Sequence, residues 1–271
     1  MSKIYLYVNG DGWQEFDRSD TEELEKRNIT IGNRVKIGTN VTIGDNVYIE
    51  HNVTIGNGVK IGNDVYIGNG ARIGSDVNIE DDVTIGDDVY IGNRVKIQNG
   101  VRIEDNVKIG NRVYIGYYVR IEIDVNIEDD VKIGNGVYIG YNVNIEDDVT
   151  IGNDVKIGTN VTIGYSARIE DNVRIGIGAK VGNGARIGSG AKFVSILISG
   201  SMHVVSYWGE DRIDIGCRRM PIEEWKSCYK RIGKSEGYTL EQVEEYGHYI
   251  QTISDMHNKS LMHISQEDNN G

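Results

Sequence analysis

Two histidines stand next to groups with which they could share proton-transfer chemistry. His51 follows Glu50 directly, and a carboxylate beside an imidazole can orient a general base. His203 precedes Cys217 in the C-terminal region, and the two would form a nucleophile and its base if the fold brought them together. No spacing in the sequence requires either arrangement. The competing interpretations are a solvated turn residue for His51 and a buried structural thiol for Cys217.

Metal chemistry has weaker support in the sequence. Three Glu-Asp-Asp triplets, at 80–82, 128–130 and 146–148, offer the carboxylates that Ca²⁺ prefers. Asn and Asp are also common turn residues, so the triplets have an ordinary structural explanation. No group of His and Cys has the spacing of a zinc site. We therefore predict no metal site and no cofactor-binding residue from these patterns.

Most of the chain is a repeat of six residues. In total, 27 consecutive hexads of the form Ile-Gly-x-x-Val-x span residues 31–192 without an insertion. Val35 and Ile37 are two residues apart, so both point to one side of a short strand. Gly38 and Asn40 suit the turn that follows, because both tolerate positive φ. One hexad cannot bury its Val-Ile pair, so successive turns must stack around a common core.

The pattern [Ile/Val]-[Gly/Glu]-x-x-[Val/Ala]-x resembles the hexapeptide-repeat superfamily, whose members fold as a left-handed parallel β-helix. Three hexads make one triangular coil in that family. The resemblance therefore implies a mainly β fold with about nine coils and a length of ~43 Å at the spacing between strands.

Four regions follow from these patterns. Residues 1–28 carry hairpin and helix signals and are predicted to cap the first coil. Residues 29–192, called the rod below, form the β-helix. Residues 193–256 are predicted to form a small α+β module, and residues 257–271 a polar, frayed tail.

The C-terminal module shows strand signals followed by helix signals. Strands are predicted at 193–198, 203–207 and 212–215. Pro221 suits the first position of a helix that Gly233 would end. Thr239 with Gln242 is predicted to cap a second helix. We do not assign this module to a characterised family.

Charge and length exclude several kinds of partner. The net charge of −12 argues against nucleic acid and anionic membranes. No apolar run approaches the ~20 residues of a membrane span, and no signal peptide is evident. The two cysteines are expected to be reduced. We expect a cytoplasmic protein or, if the chain is a fibre component, a virion protein.

The resemblance implies one enzymatic function, which the rod does not obviously support. Many hexapeptide-repeat proteins are acyltransferases that use acetyl-CoA or another acyl-CoA, with a histidine as general base near a loop that breaks the coil. Here no hexad is interrupted, and His51 is the only histidine of the rod. We therefore predict a non-enzymatic rod without cofactor, a spacer or fibre-like assembly protein. An acyltransferase with His51 or His203 as base is the alternative.

The resemblance also implies a homotrimer. The outward residues at the sixth hexad position form no apolar stripe, so no face of the rod is expected to pack. We place the contacts, and those with any other assembly protein, in the C-terminal module. Aromatic side chains concentrate there at Tyr207, Trp208, Trp225 and Tyr229.

Overall fold

Each hexad forms one short strand and one corner, and the strands stack on three faces of a left-handed parallel β-helix of about nine coils. The computed structural model describes residues 3–8, 12–17, 19–193, 196–207 and 211–267. The predicted mainly β fold, with a cap and a small C-terminal α+β module, is confirmed.

The N-terminal cap continues one face of the rod. Strand β1 (Lys3–Val8) pairs antiparallel with β2 (Gly12–Asp17) and parallel with a rod strand at Val41–Ile43. Helix α1 (Thr21–Lys26) follows, with the Asp20 side chain accepting the Glu23 N–H at its start. The hairpin covers the open edge of the first coil, which would otherwise expose unpaired backbone groups.

The rod contributes strands β3 to β30, and successive strands fall on the three faces in turn. The first face holds β4 (Lys36–Ile37), β7 (Thr54–Ile55), β10 (Arg72–Ile73), β13 (Tyr90–Ile91), β16 (Lys108–Ile109), β19 (Asn126–Ile127), β22 (Asn144–Ile145), β25 (Thr162–Ile163) and β28 (Lys180–Val181). The second face holds β5 (Val41–Ile43), β8 (Lys60–Ile61), β11 (Asn78–Ile79), β14 (Lys96–Ile97), β17 (Tyr114–Ile115), β20 (Lys132–Ile133), β23 (Thr150–Ile151), β26 (Arg168–Ile169) and β29 (Arg186–Ile187). The third face holds β3 (Thr30–Ile31), β6 (Tyr48–Ile49), β9 (Tyr66–Ile67), β12 (Thr84–Ile85), β15 (Arg102–Ile103), β18 (Arg120–Ile121), β21 (Tyr138–Ile139), β24 (Lys156–Ile157), β27 (Arg174–Ile175) and β30 (Lys192–Phe193).

The core is one column of branched aliphatic side chains. Val107 and Ile109, at the fifth and first hexad positions, are both 0% exposed, and their equivalents along the rod are nearly all buried as deeply. Burying one such side chain stabilises the fold by about 1.5–3 kcal/mol, so the stacked coils gain what a single hexad cannot.

The two turn residues of a hexad have different roles. The residue at the fourth position of each hexad, such as Asn40 with φ 56°, lies in the left-handed region of backbone conformation. Gly38, at the second position, does not have a positive φ. The prediction that a glycine is needed there for positive φ is therefore wrong. A Cβ on Gly38 would lie 2.6 Å from the carbonyl of Gly56 in the next coil. Glycine at the second position therefore serves the close approach of two coils.

The third hexad position holds the corners together. At many corners its side-chain oxygen accepts the backbone N–H of the residue one coil earlier. Asn111 Oδ1 accepts from Asn93 N–H at 2.8 Å, and Asp129 Oδ1 accepts from Asn111 N–H at 2.7 Å. This series, called the corner ladder below, explains why Asn and Asp recur at the corners.

The C-terminal module is a four-stranded antiparallel meander covered by two helices. Its strands are β31 (Ile196–Ser199), β32 (Val204–Tyr207), β33 (Arg212–Ile215) and β34 (Arg218–Pro221). Helix α2 (Ile222–Ser235) and helix α3 (Leu240–Glu267) follow. The sequence did not predict β34. The last residue of this strand, Pro221, is also the N-cap of α2 instead of its first residue.

Helix α2 continues past the predicted stop at Gly233. This glycine is buried inside the helix, and a Cβ there would lie 2.8 Å from Val243 Cγ2 of α3. The glycine therefore permits close packing of the two helices. Thr239 and Gln242 cap α3 as predicted, with Thr239 N–H donating to Gln242 Oε1 at 2.9 Å and Gln242 N–H donating to Thr239 Oγ1 at 3.2 Å.

Helix α3 extends well into the region predicted to be a frayed tail. It continues to Glu267, and His257 of the predicted tail contacts the core, with the Tyr207 hydroxyl 2.7 Å from its Nδ1. The polar composition of residues 257–271 gave no indication of this contact. Among the helices that the structure describes, none is long and apolar enough to cross a membrane.

Candidate active site in the C-terminal module

Two hairpin turns bring His203 and Cys217 to the same cavity. His203 precedes β32, and Cys217 lies between β33 and β34. The cavity, called the hairpin cavity below, has a volume of about 90 Å³. It is lined by Ile215, Trp225, Ile232 and Val243, by Tyr229, Tyr238 and Tyr246, and by His203, Cys217, Arg218, Gly233 and Glu236.

Helix α3 fixes the backbone that carries His203. The Tyr246 hydroxyl accepts the N–H of Met202 at 2.9 Å and that of His203, and it donates to the His203 carbonyl at 2.7 Å. Glu245 accepts from both the N–H and the hydroxyl of Ser201, which lowers the pKa of that carboxyl. The turn is therefore held by a buried tyrosine and a charged hydrogen bond instead of being a free loop.

The imidazole of His203 keeps its ring nitrogens available. The ring packs on Gly216, where a Cβ would lie 3.1 Å from His203 Cγ, and its centroid is 6.0 Å from that of Tyr238. Within the described part of the chain, no side chain or backbone group hydrogen-bonds to either ring nitrogen. A histidine with an unoccupied ring nitrogen beside an apolar cavity is a candidate general base.

The cavity floor is apolar and its mouth is charged. Trp225 closes the floor, and its Nε1–H donates to the Ile213 carbonyl at 2.8 Å. At the mouth, Arg218 and Glu236 form an ion pair of 2.7 Å. Burial raises the pKa of Tyr238 in the wall. An apolar group can therefore enter while a charged group stays at the surface.

His51 has a structural role that the sequence did not show. Its Nδ1 accepts the N–H of Asn33 at 2.8 Å, so it fills the place that an Asn or Asp oxygen takes in the corner ladder. Glu50 Oε2 is 3.9 Å from His51 Nε2, so the carboxylate lies beside the imidazole. This hydrogen bond occupies the lone pair on Nδ1, which is the lone pair that a neutral imidazole would need in order to act as a base.

Two of the four predicted interaction residues are core residues. Tyr207 is 2% exposed and Trp225 is 3% exposed, so neither ring is available to a partner. Tyr229 is half-buried and lines the hairpin cavity, and Trp208 lies outside the described residues. The positions of these aromatic residues on a strand and a helix were equally consistent with a place in the core. Their burial shows that Tyr207 and Trp225 are core residues.

Sequence reasoning missed the residues that shape the cavity. Tyr246 was not among the predicted site residues, yet its hydroxyl positions the turn of His203. The ion pair of Arg218 and Glu236 joins a strand to the end of a helix, and no local spacing indicates it. No group of three His, Cys, Asp or Glu side chains that could hold a metal ion occurs among the described residues.

The repeats of the rod match a known protein family. The family described as bacterial transferase hexapeptide (six repeats) matches residues 28–63, 40–75, 64–97, 88–123 and 130–165. The rod belongs to the hexapeptide-repeat superfamily. A search of curated proteins by sequence finds no relative of this chain.

Solved structures share this hexapeptide-repeat fold. The UDP-N-acetylglucosamine acyltransferase of Francisella novicida is 21% identical over 81% of this chain and 76% of that chain, with a TM-score of 0.50. The acyltransferase of the same name from Bacteroides fragilis is 19% identical over 80% and 74%, with a TM-score of 0.28. The acetyltransferase domain of PglB from Neisseria gonorrhoeae is 18% identical over 46% and 51%, with a TM-score of 0.27.

The prediction of a non-enzymatic spacer or fibre-like virion component is wrong. The hexapeptide repeats match a transferase family, and the Francisella novicida structure that shares this fold is named as an acyltransferase. The prediction relied on uninterrupted coils and uniform faces. Those features follow from stacking Ile and Val in one column, whatever the protein does.

Proposed function

We propose that this protein is an acyltransferase that moves an acyl group from a thioester donor to a hydroxyl or amino acceptor. The observation that carries the proposal is its hexapeptide-repeat fold, which named acyltransferases share. Acetyl-CoA or another short acyl-CoA is the proposed donor. UDP-N-acetylglucosamine, which appears in the names of two of those enzymes, is the first acceptor to test.

The hairpin cavity supports this proposal by its size and its lining. Its volume of about 90 Å³ is less than the ~150 Å³ of an engineered cavity that holds benzene, so it suits a short aliphatic acyl chain. The aliphatic and aromatic floor favours such a chain over water. Arg218 at the mouth supplies a cation for the phosphates of a CoA donor.

His203 is the proposed general base. It would take the proton of the acceptor as the new C–O or C–N bond forms and the C–S bond of the donor breaks, and it would return that proton to the departing thiolate. Cys217 lines the same cavity and is exposed, so it is positioned near the donor sulfur. His51 is not proposed as the base, because the corner ladder occupies its Nδ1.

A homotrimer is part of this proposal. Trimers are the state of related hexapeptide-repeat proteins, and we propose the same state for this chain. The buried Tyr207 and Trp225 cannot mediate the contact, so another surface must do so.

The test uses the full chain with acetyl-CoA, butyryl-CoA and palmitoyl-CoA. Free thiol release is measured with UDP-N-acetylglucosamine and with simple amino sugars, and donor binding is measured by calorimetry. We expect micromolar binding of the short donors and about 100-fold less transfer by His203→Ala. His248→Ala is the control, because His248 is exposed on α3.

Two outcomes would contradict the proposal. Absence of binding and of thiol release with every donor would reject acyl transfer. Transfer that survives His203→Ala but not His248→Ala or His51→Asn would place the base elsewhere. Cys217→Ser adds a further readout, since retained transfer shows that the acceptor attacks the thioester directly.

A further inference from the structure

Three tyrosines are exposed on one coil of the rod, where the second face turns into the third. Tyr114 begins β17 on the second face, and Tyr117 and Tyr118 lie on the corner that follows it. The three residues, called the tyrosine corner below, are 36%, 41% and 74% exposed. Aromatic rings of this size gain most when they are removed from water, so this exposure indicates a surface that another molecule covers.

Tyr118 occupies a backbone position that does not suit it. Its φ is 56°, and every other non-glycine residue of the rod with a positive φ is Asn, Asp, Arg or Ser. A bulky side chain in the left-handed region is strained, and strained residues cluster at functional sites. Gly100 holds the same hexad position one coil earlier, and a Cβ there would lie 2.6 Å from Tyr118 Cδ1. The ring therefore lies against bare backbone, which keeps it in place on the surface.

Cations border the tyrosine corner on both faces. On the second face, Tyr114 pairs with Lys96 of β14 and Lys132 of β20, so cation, ring and cation follow each other at ~4.8 Å. On the third face, Arg102 of β15 pairs with Arg120 of β18, which is bound by two glutamates. Lys96, Arg102 and Lys132 are exposed and form no ion pair within residues 19–193. Three cations can therefore bind an anionic group.

This positive region extends over three coils only. The stacked hexads 97–102, 115–120 and 133–138 contain no Asp or Glu. The same corner carries the Glu-Asp-Asp triplet 80–82 one coil earlier and Asp154 one coil later. Three coils span ~10 Å, which is too short to follow a nucleic-acid backbone, and the acidic borders and the net charge of −12 would repel one.

The shape of the tyrosine corner favours a protein partner over a small molecule. Its rings project from the junction of two faces, whereas small molecules bind in clefts that bury most of their surface. Protein interfaces are enriched in tyrosine and arginine, and a few such residues carry most of the binding energy. A partner surface with carboxylates would complement the cations that border the rings.

We propose that the tyrosine corner docks a second protein through a segment in which carboxylates alternate with apolar side chains. The apolar side chains would cover the rings of Tyr117 and Tyr118, while the carboxylates would pair with Lys96, Arg102 and Lys132. This inference goes beyond acyl transfer, because it does not involve the hairpin cavity. It also explains why the rod has a tyrosine at a position where asparagine or aspartate is accommodated more easily.

Binding is tested on the full-length protein by fluorescence anisotropy of labelled peptides. One short peptide alternates Glu with Leu, a second has Gln in place of each Glu, and a short oligothymidylate represents nucleic acid. Tyr118→Asn and Lys96→Glu change the site. Tyr165→Asn and Lys36→Glu are the matched controls, because Tyr165 is 48% exposed on the corner between the first two faces and Lys36 is exposed on the first face. Urea unfolding gives the stability of each variant.

We expect the acidic peptide to bind the wild type and both controls, and to bind about 30-fold more weakly to Tyr118→Asn and about 10-fold more weakly to Lys96→Glu. Tyr118→Asn should also unfold at a higher urea concentration, because asparagine suits a positive φ, so its loss of binding is not a loss of fold.

Four results would overturn the proposal. They are no binding of the acidic peptide to the wild type, equal binding of the Gln peptide, an equal loss of binding in Tyr165→Asn, and binding of the acidic peptide that survives Tyr118→Asn. Oligothymidylate that binds as tightly as the acidic peptide would also overturn it, because any polyanion would then be sufficient.

Discussion

Replacing His51 by asparagine and by alanine separates a structural role from a catalytic one. His51 Nδ1 accepts the Asn33 N–H at 2.8 Å. Asn57 Oδ1 and Asn63 Oδ1 accept the same kind of N–H at 2.8 and 2.9 Å on the other two corners. His51→Asn should therefore retain the hydrogen bond, whereas His51→Ala removes the acceptor altogether.

The expected effect on stability is small but has a clear sign. A hydrogen bond contributes about 0.5–1.5 kcal/mol net. The His51 side chain is 51% exposed, so water can replace the lost acceptor. We therefore expect the lower end of that range, about 0.5 kcal/mol, for His51→Ala and no loss for His51→Asn.

Three assays report on this pair. Urea unfolding followed by circular dichroism gives the free energy of unfolding. Hydrogen exchange of the Asn33 amide reports the local bond, and acyl transfer reports catalysis. Faster Asn33 exchange in His51→Ala alone supports the corner ladder. Equal destabilisation by both substitutions would refute it, and loss of transfer by both at unchanged stability would make His51 the base.

Three further changes test the packing. Gly134→Ala places a Cβ 2.6 Å from the Gly152 carbonyl and should cost about 1–3 kcal/mol in urea unfolding, whereas Gly188→Ala meets open space and should cost nothing. Burial raises the pKa of Tyr207 to about 12 from 10.0. The unfolded chain therefore ionises first, and stability that is complete below pH 10 should be lost between pH 10 and about 12, as circular dichroism would show. Tyr246→Phe removes the hydroxyl that holds the turn of His203. It should destabilise the module by about 1–3 kcal/mol and slow thiol release, whereas an unchanged rate would separate that turn from the reaction.

The fold of the rod was predictable because the same pattern of apolar and turn residues recurs in 27 hexads. Val35 and Ile37 are two residues apart and therefore point to the same side of a strand. The residues of the core could thus be predicted from the periodicity of the sequence. The reason for Gly38 was not predictable in this way. Positive φ and close approach both favour glycine, and only the distance to the next coil separates the two causes.

The candidate site was predictable only as a set of separate residues. His203 and Cys217 were named as a possible pair, and the structure brings both to the hairpin cavity. The contacts that make it a cavity join α3 to the turn before β32 and join β34 to the end of α2. Such long-range contacts leave no periodic signal, which is why Tyr246 and the Arg218–Glu236 pair were missed.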